Sequence, residues 1–109
     1  MSARLYILQR VTAVLMAPLL IAHLVLIFHA TRRGLSAEEI LGRTRGSWIA
    51  GAAYGVFVIA AAVHAGIGVR TVAAEWAGIK GRRLDLVMWA VGLVLALLGL
   101  RAVAAVVLA

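Results

Sequence analysis

A chain of 109 residues, 65% of them hydrophobic and with a mean hydropathy of +1.08, cannot hide its apolar surface inside a water-soluble fold of that size. Its formal net charge of +7 comes from cations at the ends of apolar runs, where bilayer topology and lipid head groups want them, and no polar domain presents a basic face to nucleic acid. There is no cysteine, so disulfides, zinc–thiolate sites and cysteine-ligated iron–sulfur clusters are excluded from this chain.

Crossing a hydrocarbon core takes about 20 apolar residues at ~1.5 Å rise each. The first candidate is the uncharged run Val11 to Thr31, with an apolar lead-in from Leu5 broken only by Gln9 and Arg10. It is too long for a signal-peptide core and carries His23, His29 and Pro18, so it is read as part of the mature protein. Pro18 removes a backbone donor and should kink the span. Next comes a loop with Ser36-Ala37-Glu38-Glu39, a capping-box pattern that predicts a short surface helix from about Ala37 to Leu41. The second span is the uncharged run Gly46 to Val69. The third begins at Leu86 and continues past Arg101, which can snorkel to the interface.

The expected fold is therefore all-α, an integral membrane bundle of three transmembrane helices with short loops, one domain with spans at about 5–30, 47–70 and 85–107. Arg4, Arg10, Arg70, Lys80, Arg82 and Arg83 outnumber the cations of the other face, which favours a cytoplasmic N-terminus. Trp48 and Trp89 fall near the interfaces, where amphipathic rings anchor helices.

Within the spans, the only acidic residue is Asp85, at a boundary, which argues against a proton-coupled transporter. The spans do carry His23, His29 and His64, and neutral imidazole is a natural axial ligand for haem iron. His64 has Ala60, Ala61, Ile67 and Gly68 as helical neighbours, three of them small, a shallow face for a flat macrocycle. Bulky Leu19, Leu20, Leu26 and Ile27 surround His23, the candidate for a second haem ligand, and His29 reads as an interfacial residue. With the N-terminus inside, His23 and His64 differ in depth by roughly 15 Å or more. They do not sandwich one iron, so the second ligand of His64 is expected from another chain. Arg10 and Arg70 stand at a suitable depth for haem propionates, a place equally suited to snorkelling anchors. Tyr6, Gln9 and Arg10 form a polar cluster at the same face, fit for a quinone head group.

Two motifs resemble those of the small cytochrome b membrane-anchor subunits of succinate dehydrogenase and fumarate reductase. Gln9-Arg10-Val11-Thr12-Ala13 is similar to that family's His-Arg-Val-Ser-Gly segment, and His64-Ala65-Gly66-Ile67-Gly68-Val69-Arg70 is similar to its histidine with a glycine four on and an arginine six on. Gln9 stands where the family usually has histidine, and Tyr6 where a serine often helps bind quinone. The resemblance covers nearly the whole chain. It implies that His64 is an axial ligand of haem b and that Arg10 lines a quinone site near a propionate. It also implies flavoprotein and iron–sulfur partner subunits, a second membrane anchor or another copy of this chain, and a bacterial inner (cytoplasmic) membrane. The charged segment Thr71 to Arg83 would dock the iron–sulfur subunit. The competing expectation is a haem-free structural anchor or assembly subunit whose histidines only bond between helices; a small transporter subunit is the third.

Overall fold

The computed structural model describes residues 2–109, and these form four α-helices: α1 (Ala3–Arg33), α2 (Ala37–Thr44), α3 (Trp48–Trp76) and α4 (Arg82–Val107). α1, α3 and α4 are long and apolar enough to cross a membrane. The molecule is 48 Å long and about half as wide, matching a bilayer of ~40–45 Å including head groups.

Serines start three of the helices. Ser2, Ser36 and Ser47 accept from the backbone N–H of Leu5, Glu39 and Ala50 at 3.3, 3.1 and 3.1 Å, each satisfying one of the donors a helix start leaves unpaired. The surface helix runs three residues past the expected end at Leu41. Glu39 does not reach back to complete a capping box; its carboxylate pairs with Arg43 one turn on at 3.9 Å, and Arg43 donates to the Gly34 carbonyl at 3.2 Å. α2 also fastens the far end of α4: Thr44 Oγ1 donates to the Val106 carbonyl at 2.7 Å, and the Gly46 N–H to that of Val107 at 2.8 Å. Two carbonyls that α4 would leave unpaired are thereby satisfied. Pro18 lies inside α1 without ending it.

α3 is central, packing against both α1 and α4, which hardly meet each other. Small residues let α3 and α4 come together. A Cβ added at Gly66 would stand 3.0 Å from the Met88 carbonyl oxygen and 3.6 Å from the Gly92 Cα, and one at Gly99 would run into Val58. With no hydrophobic drive between helices in lipid, such close backbone approach is what holds membrane helices together. At the charged end, Arg70 Nε donates to Asp85 Oδ1 at 3.2 Å and ties α3 to α4. The segment Thr71–Trp76 continues α3, so the loop proper is 77–81, turned by Gly78 and Gly81 at φ +66° and +70°.

Candidate functional site

The site begins where α1 crosses α3. At 100° per residue, His64 lies about 200° around α3 from Gly66; since Gly66 faces α4, His64 is turned toward α1. There Thr12, only 6% exposed, meets it: Thr12 Oγ1 is 3.2 Å from His64 Nδ1. The same hydroxyl lies 2.8 Å from the Leu8 carbonyl oxygen and 3.0 Å from that of Gln9. His64 Nε2 makes no hydrogen bond among the described residues. One ring nitrogen is anchored and the other is left for a ligand, the arrangement metal-bound histidines adopt.

The small residues around His64 are used differently from the expectation. Ala60 and Ile67 are buried by the chain's own packing, and a Cβ at Gly68 would stand 3.6 Å from Gln9 Nε2, so the glycine makes room for the Gln9 amide. Ala61 and Ala65 are the partly open neighbours. The open part of this face is thus smaller than its three small neighbours suggest, and it lies on the side of Ala61 and Ala65.

Three contacts fix the antiparallel register of α1 on α3: Gln9 beside Gly68, Thr12 beside His64, and His23 beside Tyr54 with ring centroids 5.7 Å apart. By that register Tyr6 is level with Arg70. Tyr6, Gln9, Arg10 and Arg70 accordingly gather at one end of the molecule, within about two turns of His64. Within this group the side chains diverge. The Arg10 guanidinium lies 5.9 Å from the centroid of the Tyr6 ring, and both residues are exposed. Gln9 turns inward, and its Oε1 is buried with no partner among the described residues. Arg70 spends its Nε on Asp85, leaving its terminal N–H groups without an ion-pair partner among the described residues.

His23 belongs to another level. It sits ten residues along α3 from His64, about 15 Å. It packs edge-on to Tyr54 and tilted against Phe57, with Nδ1 buried and unpartnered among the described residues. It lines a largely apolar cavity of about 490 Å³ between α1, α2 and α3, whose wall also includes the exposed His29. No group of three metal-ligating side chains converges among the described residues. His23, His29 and His64 each stand as a separate imidazole donor rather than as part of such a group.

Residues 1–104 match the sequence profile of the succinate dehydrogenase/fumarate reductase transmembrane subunits. The chain belongs to that family. The match spans α1 to α3 and nearly all of α4, so the three-helix unit as a whole is the family's membrane subunit, an integral membrane anchor. Among curated proteins and among solved structures no match is found.

Two features of the anchor subunit's site escaped the sequence reading. Thr12 was legible only as part of a motif, yet it is the direct partner of His64. Asp85 looked like a boundary residue, yet it holds Arg70. The short 77–81 loop between α3 and α4 would have allowed a register that found Asp85; the longer connection through α2 gives no such guide to Thr12.

Proposed function

We propose that this anchor subunit binds haem b through His64 Nε2 and helps form the quinone site of a succinate:quinone or quinol:fumarate oxidoreductase. The observation that carries the proposal is the His64 ring, anchored at Nδ1 by a buried hydroxyl and unengaged at Nε2, in a chain of this family. Bound there, the haem supplies a one-electron carrier between the iron–sulfur partner and membrane quinone.

The chain's own residues do the rest. His64 orients its ligand nitrogen; Arg10 and Arg70, at the Tyr6 end, offer cations to the propionates. Tyr6 and Arg10 present donors to quinone carbonyl oxygens, and Gln9 stands behind them at the inner wall of the same cluster. His23, about 15 Å along the bundle from His64, is the candidate ligand of a second haem rather than the opposite ligand of the first. The second ligand to His64's iron comes from another chain, a distinct anchor or a second copy.

With the N-terminus in the cytoplasm, the 77–81 loop and the exposed Trp76 beside it face the same side as a soluble flavoprotein and iron–sulfur pair, and dock it. The experiment is isolation of the complex from membranes through a tag on this chain. Co-isolation of flavin and iron–sulfur centres with dicarboxylate-dependent quinone reduction or the reverse reaction is the expected result. A tagged chain that comes away with neither, from membranes that hold both, would refute the assignment.

A further inference from the structure

Thr12 is the one buried polar residue among those described, at the centre of the α1–α3 crossing. Its hydroxyl oxygen is surrounded by three polar atoms: the Leu8 carbonyl oxygen at 2.8 Å, the Gln9 carbonyl oxygen at 3.0 Å and His64 Nδ1 at 3.2 Å. A hydroxyl has one proton to donate and two lone pairs to accept with, while a carbonyl oxygen can only accept. If the proton went to Nδ1, two carbonyl oxygens would face hydroxyl lone pairs at 2.8 and 3.0 Å with nothing between them. Donated back to the Leu8 or Gln9 carbonyl, the usual choice of an intrahelical threonine, the proton satisfies one carbonyl and frees a lone pair for Nδ1–H.

We propose that Thr12 is a positioning residue that fixes His64 in a single tautomer, with the proton on Nδ1 and the lone pair on Nε2. The tautomer follows from the hydrogen-bond geometry; its consequence for ligation rests on the function proposed above. Threonine suits the task because branching at Cβ restricts its side-chain torsion in a helix, so the hydroxyl is aimed before any ligand arrives. In the low dielectric of a span, the chain from carbonyl to hydroxyl to imidazole is polarised along its length. Electron density is pushed toward Nε2, as second-sphere acceptors do for metal-bound histidines, and this favours the oxidised iron. A hydroxyl does so more gently than a carboxylate, without placing a charge inside the membrane.

The test has two arms. In the first, the full chain without haem is placed in lipid bilayers with ¹⁵N-labelled histidine, and the protonation of each ring nitrogen is read by solid-state NMR. The His64 resonances are identified by their loss in His64→Gln. Wild type and Thr12→Ser are expected to show protonated Nδ1, and Thr12→Val a redistribution toward protonated Nε2. Protonated Nε2 in the wild type, or an unchanged tautomer in Thr12→Val, would overturn the proposal.

In the second arm, the assembled complex carrying Thr12→Val is expected to retain about tenfold less haem. The midpoint potential of what remains should move positive, and Thr12→Ser should restore both. Wild-type haem retention and potential in Thr12→Val would overturn the positioning role. Should Thr12→Val fail to assemble, the wild-type and Thr12→Ser tautomers still decide. Should His64→Ala keep its low-spin haem, the ligand assignment fails, while the first arm judges the tautomer separately.

Discussion

Gln9 carries the clearest local tension in the molecule. Its Oε1 is buried without a partner among the described residues, which costs about 1–3 kcal/mol in a folded protein. A residue kept only for packing would do better as leucine. Gln9→Leu should therefore leave the thermal stability of the assembled complex unchanged or raised by about 1 kcal/mol, while quinone turnover falls. Wild-type turnover and quinone KM in that variant would remove Gln9 from the quinone site. Arg70 poses a similar choice between partners. Its ion pair with a half-exposed Asp85 is worth less than about 1 kcal/mol after solvent screening, so Asp85→Asn should cost little stability. Arg70→Gln removes a cation from the propionate end and should lower that potential, because the reduced haem carries one more negative charge. An unchanged potential would make Arg70 an interfacial anchor and no more.

At the scale of helices, the three spans were legible because bilayer thickness sets their length and leaves no room for charge; α1, α3 and α4 are the three helices long and apolar enough to cross. Ends were less legible. α2 continues to Thr44 because Glu39 pairs forward with Arg43 and Thr44 finds α4, neither of which a capping-box pattern contains. The face around His64 was less legible for a related reason. Small residues serve ligands and helix contacts alike, and which of the two a given alanine or glycine serves depends on the neighbouring helix. Gly68 accommodates Gln9, and Gly66 accommodates the backbone of α4. The Thr12–His64 pair joins positions 52 apart, beyond the reach of any local pattern. A Cβ at Gly66 meets a backbone carbonyl that cannot swing away, so Gly66→Ala should destabilise the α3–α4 pair by about 1–3 kcal/mol. Thermal unfolding of the complex would register this as a lowered Tm. A wild-type Tm would mean that α4 yields more easily than the contact implies.

The molecule as a whole buries very little. Thr12, Ala60, Ala62, Ile67 and Leu84 are its buried non-glycine residues among those described, while leucines, valines and aromatics along α1 and α4 stay exposed. Lipid covers such a surface at no cost, but it cannot complete the ligand set proposed for His64, and His23 lies too far along the bundle to do so. The chain inserted alone should therefore hold haem poorly, and low-spin haem should rise when its partner subunits are produced with it. Full low-spin loading of the lone chain, shown to be monomeric, would contradict this.

The central claim is that His64 of this anchor subunit ligates haem b, and the reduced-minus-oxidised spectrum of the tagged complex tests it most directly. Wild-type complex should show a low-spin b-type signal that is absent in His64→Ala, with the flavin and iron–sulfur subunits still attached in both. An undiminished low-spin signal in His64→Ala, or none in an intact wild-type complex, would contradict it.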